Sequence, residues 1–203
     1  MSAAENELRA RNLRMLAVLA GLFLLPLAIS FWVYYGTGWR PTKRLNHGDL
    51  IIPIRPLPAV RLQPILPPEG APAELFRKKW SLVYIGSGQC AEACRNALYV
   101  MRQTRLSLNA DMDRVERVFL ASSDCCDREF LSHEHPGLIV LNATHPAATG
   151  LLGTFPVEER EHSLFVVDPL GNLMMRYDVR LTSQHPKGLL EDLKKLLTLS
   201  HIG

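Results

Sequence analysis

An uncharged, apolar stretch of 21 residues, 15–35, constrains this chain more than any other feature. At ~1.5 Å of rise per residue, a helix of this length matches the ~30 Å hydrocarbon core of a bilayer. Three arginines precede the stretch and an aromatic belt marks its far end: Arg9, Arg11 and Arg14, then Trp32, Tyr34, Tyr35 and Trp39. We therefore predict a cytoplasmic tail over 1–14 and one transmembrane anchor over 15–35.

Two aspects of this segment stay open in the sequence. Arg40, Lys43 and Arg44 follow the span, so the positive charges only slightly favour a cytoplasmic N-terminus. A cleaved signal peptide is the alternative, with Ala28 and Ser30 as small residues before a cleavage point. Because the apolar run continues beyond them, longer than a signal's hydrophobic region, we favour an uncleaved anchor.

A proline-rich strap or linker follows over 36–75, and residues 40–73 hold 8 of the chain's 14 prolines. This composition favours extended polyproline II conformation over helix. The segment is nevertheless too apolar for a free linker, as its aliphatic residues show: Ile51, Ile52, Ile54, Leu57, Val60 and Leu62. We expect part of it to pack against the following domain as an edge strand.

The remainder, 76–203, alternates between strand and helix patterns. Short apolar runs predict strands at 80–86, 115–121, 138–141, 164–167 and 173–177, and helical periodicity predicts helices at 93–108 and 189–197. Turn residues at 168–172 predict a hairpin between the last two strands. This order indicates a single α/β sandwich in which right-handed crossovers place the first strand centrally.

Composition excludes several classes of protein. Four cysteines in 203 residues are too few for a disulfide-stapled mini-domain. The net charge is only +3, from 23 basic and 20 acidic residues. No run of basic residues is dense enough to bind along the phosphate backbone of a nucleic acid. We therefore expect no nucleic-acid partner.

The loop after the first strand of the sandwich carries Cys90 and Cys94, a C-x-x-x-C pair where a strand turns into a helix. The free amides and dipole of a helix N-terminus stabilise a thiolate there and make it a better ligand or nucleophile. The spacing allows either a disulfide or joint coordination of one metal ion. Two buried, inert thiols are the alternative.

His162 precedes the strand at 164–167. In a thioredoxin-like sheet the loop before this strand lies against the cysteine loop. Ordinary thioredoxins have a cis-proline there, whereas the nearest preceding proline here is Pro156. Two thiolates and one imidazole suit copper, with sulfur holding Cu(I) and nitrogen helping to hold Cu(II).

These residues resemble the Sco/SenC copper chaperones of cytochrome c oxidase assembly. The resemblance rests on the anchor, on Y-I-G-S-G-Q-C-A-E-A-C and on H-S-L-F-V-V-D-P-L-G-N, and it covers about residues 76–199. It implies a thioredoxin-like fold, copper ligation by Cys90, Cys94 and His162, and a domain facing the periplasm from the inner membrane. The segment 46–51 with Pro53, Arg55 and Pro56 also resembles the strap of small oxidase-assembly proteins related to Sco; we interpret it as a packing strap.

Two features depart from this family. Arg95 stands where Sco proteins usually carry proline, and its charge favours disulfide exchange. Adjacent Cys125 and Cys126 allow three alternatives: a vicinal disulfide, a resolving thiol for the first pair, or a second soft metal site with His133 and His135. Incidental thiols in an exposed loop are the fourth. Five further histidines are predicted to be surface residues, namely His133, His135, His145, His185 and His201.

Three functions follow as hypotheses. The first is a metallochaperone that handles copper or the thiols of a copper site, with a cytochrome c oxidase subunit or another assembly factor as partner. The second is a thiol-disulfide oxidoreductase in which Cys90, expected to be the more exposed thiol, attacks and Cys94 resolves. The third is a non-catalytic oxidase assembly factor.

Overall fold

The computed structural model describes residues 3–37, 46–66 and 74–200, with side chains from Arg9 onward. The chain divides into two compact units, Met1–Leu45 and Asn46–Gly203. The described part of the first unit is one helix, α1 (Ala3–Gly36), so the helix begins within the predicted tail. By length and composition, its segment Arg9–Gly36 is able to cross a membrane. Trp39 and the three basic residues after the span lie outside the described residues.

The second unit is built on a mixed sheet of seven strands in the order β1-β7-β6-β3-β4-β5-β2. The strands are β1 (Asp49–Pro56), β2 (Pro64–Leu66), β3 (Trp80–Gly86), β4 (Val115–Ala121), β5 (Leu138–Asn142), β6 (Ser163–Val167) and β7 (Asn172–Asp178). β3, β4 and β5 run parallel, whereas β6 and β7 form the predicted antiparallel hairpin beside β3. The prediction that the first strand of the sandwich lies at the centre is confirmed.

Helices cover the sheet as expected for an α/β sandwich. They are α2 (Glu92–Leu106), α3 (Arg128–Glu134), α4 (Thr149–Thr154), α5 (Val179–Gln184) and α6 (Lys187–Leu199), with 3-10 turns at Asn109–Arg114, Pro146–Ala148 and Val157–Glu159. Alternate residues of β3 enter different core clusters, so Tyr84 packs with α2 residues such as Leu98, whereas Ile85 packs with Phe165. All of β3 is therefore buried, which explains its continuous apolar run.

The strap supplies both edge strands of the sheet. β1 pairs antiparallel with β7, and β2 pairs antiparallel with β5. Ile51 and Leu57 are buried, whereas Ile52 and Ile54 are exposed. The predicted edge strand is present, and the compact unit starts at Asn46, whereas the sequence suggested a boundary near residue 76. The last three strap prolines, Pro67, Pro68 and Pro72, lie outside the described residues.

Asp192 of α6 holds the start of the strap. Its carboxylate accepts hydrogen bonds from the amides of His47 (2.6 Å) and Gly48 (3.1 Å) and from the Tyr177 hydroxyl (3.0 Å). Burial alone raises the pKa of Asp192, but these hydrogen bonds outweigh it and hold the pKa below its usual value. We call His47, Gly48, Tyr177 and Asp192 the strap corner. Its glycine is required by close packing, because a Cβ there would lie 2.6 Å from Cε1 of Tyr177.

Candidate metal and redox site

Cys90 and Cys94 lie where β3 leads into α2. The Cys90 amide donates a hydrogen bond to the Ser87 carbonyl (3.0 Å), which closes a turn, and Cys90 has a φ of +46°. This left-handed conformation costs a non-glycine residue ~1–2 kcal/mol. Cys94 occupies the first turn of α2, and the two cysteines are joined in a disulfide with their Cα atoms 4.9 Å apart. The disulfide is one of the two arrangements that the spacing allowed.

Both cysteines are buried in the core cluster beneath α2. Cys90 and Cys94 are each 4% exposed. The expectation that Cys90 is the more exposed thiol is therefore wrong. The physical reason is that residues 122–127, which follow β4, pack on the turn that carries Cys90. The sequence alone did not fix the position of this segment.

The N-terminus of α2 lies at the cysteine turn. Ala91 is the N-cap residue, and within the described chain no side chain accepts a hydrogen bond from the first-turn amides in the capping position. Unpaired amides and the helix dipole favour negative charge at this end. Once the disulfide is reduced, the fold therefore favours thiolates here.

His162 lies at the same edge of the sheet as the cysteine turn. The antiparallel register pairs Tyr84 with Leu164, so residue 162 lies across from Gly86 at the end of β3. His162 is exposed and lines a shallow pocket of about 310 Å³ together with Ile85 and Ser122. The register thus places the backbone of residue 162 across from the start of the cysteine turn.

The observed arrangement is an oxidised one. Among the described residues, no three His, Cys, Asp or Glu side chains are grouped so that they hold a metal ion. Because thiolates are the ligands and a disulfide offers none, metal binding at this edge requires reduction of the Cys90–Cys94 pair. Copper ligation by Cys90, Cys94 and His162 stays a prediction.

Tyr84 is a residue of this edge that the sequence analysis did not single out. Its hydroxyl donates a hydrogen bond to the carbonyl of Glu161 (3.0 Å), the residue before His162. Burial, followed by the nearby Glu161 charge, raises the pKa of Tyr84 to about 12. The side chain therefore stays neutral and tethers the His162 segment to β3. A tyrosine inside a largely apolar strand was the available signal, since a buried hydroxyl needs a partner.

Cys125 and Cys126 are paired with each other in the segment between β4 and α3. They are partly exposed and pack against the cluster that contains the first cysteine pair. The two histidines considered as further ligands differ, since His133 is exposed whereas His135 is buried, with 4% of its surface exposed. The prediction of a surface position for His135 is wrong, because its ring packs edge-on against Phe130 under α3.

Residues 80–200 match the family described as "Transmembrane-like, thioredoxin-like, C-terminal domain". This match covers more than half of the chain. The chain belongs to this family. The family description agrees with a thioredoxin-like unit that follows an apolar helix able to span a membrane. A search of curated proteins found no match to the sequence.

Solved structures of Sco proteins share the fold of this thioredoxin-like chain. The apo Sco1 protein of Thermus thermophilus is 18% identical, with a TM-score of 0.56 over 77% of this chain and 99% of that one. A SCO1/SenC family lipoprotein of Bacillus anthracis is 14% identical, with a TM-score of 0.52 over 78% and 99%. ScoI of Bradyrhizobium japonicum, solved with copper bound, is 14% identical, with a TM-score of 0.50 over 68% and 97%. The resemblance inferred from the motifs is confirmed at the level of the fold.

Proposed function

We propose that this chain is a membrane-anchored, Sco-like metallochaperone that binds copper through Cys90, Cys94 and His162 during assembly of cytochrome c oxidase. The observation that carries the proposal is the joint position of the cysteine pair and His162 at one edge of the sheet. Copper is the cargo in this scheme. The partner is an oxidase subunit or another copper-site assembly factor.

The donor set fits copper chemically. Two thiolates suit Cu(I), and an imidazole completes a set that also accepts Cu(II). Reduction releases both sulfurs at the N-terminus of α2, where the free amides offset their charge. His162 is exposed beside this turn, and Tyr84 holds the backbone of the preceding residue. Ligation requires the exposed imidazole of His162 to move towards the two released sulfurs.

The experiment is a metal titration of the full-length protein in detergent. We expect the reduced wild type to take up one equivalent of Cu(I) in competition with a chelator, and the Cys90→Ser/Cys94→Ser variant to take up none. His162→Ala should retain Cu(I) but lose the Cu(II) absorption that needs the nitrogen ligand. His133→Ala is the matched control, because His133 is 84% exposed and lies outside the proposed ligand set.

Two results contradict the proposal. A reduced wild type that binds neither ion at near-stoichiometric protein removes copper as cargo. Equal Cu(II) spectra from His162→Ala and His133→Ala remove His162 from the ligand set.

A thiol-disulfide oxidoreductase is the second candidate, favoured by the disulfide between Cys90 and Cys94. In this reaction one thiolate attacks a disulfide of the oxidase subunit and the other resolves the mixed disulfide, so that the subunit leaves reduced. A Cys94→Ser variant should then accumulate mixed disulfides with a partner in membranes. Failure to trap a partner, with copper uptake intact in the wild type, favours the metallochaperone.

The same proposal places the chain in the inner membrane. One span, Arg9–Gly36, anchors the protein, and the thioredoxin-like unit faces the periplasm. Protease added to spheroplasts should therefore digest the C-terminal unit. Protection of that unit in intact spheroplasts would contradict this orientation.

A further inference from the structure

The two cysteine-containing loops of this protein are joined to each other by hydrogen bonds. We call residues 86–94 the first cysteine loop and residues 122–127 the second cysteine loop. The Ser122 amide donates to the carbonyl of Gly86 (2.9 Å), and the Gly88 amide donates to Oγ of Ser123 (3.0 Å). The hydroxyls of Ser87 and Ser123 are also 3.0 Å apart. These contacts hold the two loops side by side.

Their backbones touch at Gly88. A Cβ at this position would lie 2.6 Å from the Cα of Cys125, closer than real Cβ contacts allow. Cys90 follows Gly88 by two residues, so the contact brings Cys125 to the Cys90 side of the first cysteine loop. Any side chain at residue 88 would push the two cysteine pairs apart.

Arg95 makes a second connection between the loops. Its Nε donates to the carbonyl of Cys90 (3.3 Å), and its guanidinium carbon lies 5.0 Å from the ring centroid of Phe130. Phe130 belongs to α3, which begins directly after the second cysteine loop and is capped by Asp127. The residue that departs from the Sco pattern thus links the first cysteine loop to the helix that follows the second cysteine loop.

The two pairs differ in their access to solvent. Cys90 and Cys94 are buried, whereas Cys125 and Cys126 are partly exposed and rest on the same core cluster. An external thiol therefore reaches the second pair more easily than the first. Access is one of the factors that set the rate of thiol-disulfide exchange.

We propose that Cys125 and Cys126 form a second redox pair that passes electrons to the buried Cys90–Cys94 disulfide. An external dithiol first reduces the Cys125–Cys126 disulfide and is itself oxidised to a disulfide. The Cys125 thiolate then attacks the sulfur of Cys90, so that the Cys90–Cys94 bond breaks and Cys94 leaves as a thiolate. Cys126 attacks Cys125 in the mixed disulfide, which restores the Cys125–Cys126 bond and releases Cys90. Two electrons have moved from the external dithiol to the first pair, and the two protons that the dithiol gives up go to the solvent or to the released thiolates.

This relay does not depend on copper. It supplies the reduced first pair that either proposed function requires. The experiment uses the full-length protein in detergent, with both pairs oxidised and one equivalent of dithiothreitol as the external dithiol. Acid quenching and alkylation report the thiols on two tryptic peptides, residues 80–95 for the first pair and residues 118–128 for the second.

In the wild type we expect label to appear first on peptide 118–128 and then to decline as label on peptide 80–95 rises. In a Cys125→Ser/Cys126→Ser variant, reduction of the first pair should be slower by about tenfold, because the buried disulfide is then attacked directly. Simultaneous labelling, or labelling in the reverse order, overturns the proposal. The wild-type time course gives this answer even if the double variant does not fold.

A trapping variant tests the mixed disulfide itself. Cys94→Ser/Cys126→Ser leaves only Cys90 and Cys125, and mild oxidation with oxidised glutathione should join peptides 80–95 and 118–128. Cys90→Ser/Cys126→Ser, which leaves Cys94 and Cys125, is the matched control and should give less cross-link. Absence of a cross-link in the first variant, or equal yields from both, contradicts attack on Cys90.

The outcomes separate this inference from the proposed function. If the labelling order holds but the reduced wild type binds no copper, the relay stands and the copper proposal fails. If the reduced Cys125→Ser/Cys126→Ser variant binds copper like the wild type and wild-type labelling is simultaneous, the copper proposal stands and the relay fails.

Discussion

The strap corner and the cysteine edge, by which we mean the two cysteine pairs with His162, lie in the same compact unit but use polar groups in different ways. At the strap corner, Asp192 accepts three hydrogen bonds and also lies 3.2 Å from Nδ1 of His47. At the cysteine edge, the imidazole of His162 is exposed and the sulfurs are paired in bonds that thiol exchange opens. A buried polar group whose hydrogen-bond partners are all supplied by the fold stabilises the structure. Groups that are exposed, or that are held by exchangeable bonds, are available to bind or react.

The largest expected effect tests the structural side of this contrast. Asp192→Ala removes the acceptor of three donors, two of them buried, and should lower the free energy of unfolding by about 3–4 kcal/mol. Copper uptake and disulfide exchange at pH 7 should persist, since the cysteine edge is untouched. Urea denaturation in mild detergent measures the loss. Glu191→Ala is the control, because this neighbouring carboxylate is 56% exposed, and equal losses from both variants would break the contrast.

The pH dependence of stability separates the strap corner from His135, the residue at the C-terminal end of α3. Burial, followed by the charges of Arg117 and Arg102, lowers the pKa of His135 to about 4. The unfolded chain then binds this proton more tightly, near the ordinary pKa of ~6.5. The neutral ring of His135 therefore makes its full contribution to the free energy of unfolding above ~pH 6.5. This contribution falls by up to about 3 kcal/mol as the pH decreases towards 4.

Denaturation at pH 7 and pH 4.5 measures this loss. His135→Gln should flatten the profile between these values. The pKa of Asp192 is held below its usual value, so the strap corner keeps its contribution above ~pH 4 and loses it only in stronger acid. An unchanged profile in His135→Gln would show that another group controls this range.

A pair of glycine substitutions sharpens the comparison at the backbone. Gly48→Ala and Gly88→Ala each force a Cβ against a neighbour, the Tyr177 ring in one case and the Cys125 backbone in the other. Both should cost about 2 kcal/mol of stability. Only Gly88→Ala should also reduce the yield of the Cys90–Cys125 cross-link. Gly150→Ala serves as control because nothing lies within 4 Å of its Cβ position. Equal cross-link yields in both variants would show that the Gly88 contact does not set the distance between the pairs.

The smallest expected effect concerns Tyr84. Tyr84→Phe removes the hydrogen bond to Glu161 and should cost about 1 kcal/mol of stability. Because this bond positions the segment before His162, Cu(II) binding should weaken while Cu(I) binding by the two sulfurs is retained. Tyr99→Phe is the matched control at a side chain that is 57% exposed. Equal weakening of both ions would assign Tyr84 a purely structural role.

The strands, the main helices and the central position of β3 were predictable from the sequence. Each produces a local signal, such as the continuous apolar run of 80–86 or the leucine spacing of α6, because side-chain direction repeats along a strand or helix. The motifs also identified the cysteine pair and His162, and the fold brings them to one edge of the sheet. The strands, the helices and the Cys90–Cys94 spacing depend on residues a few positions apart, which a sequence displays directly, whereas the position of residue 162 opposite Gly86 depends on the register of the sheet.

Only the tertiary structure decided the burial of Cys90, the burial of His135 and the contact between the two cysteine loops. The hydrogen bond from Gly88 to Ser123 joins residues 35 positions apart, and that from His47 to Asp192 joins residues 145 positions apart. No periodic pattern encodes such a pair, because each contact exists only after the sheet has brought distant segments together. The sequence by itself therefore determined which groups are proposed to carry the chemistry, whereas packing decided which of them are covered, which are tethered and which remain accessible.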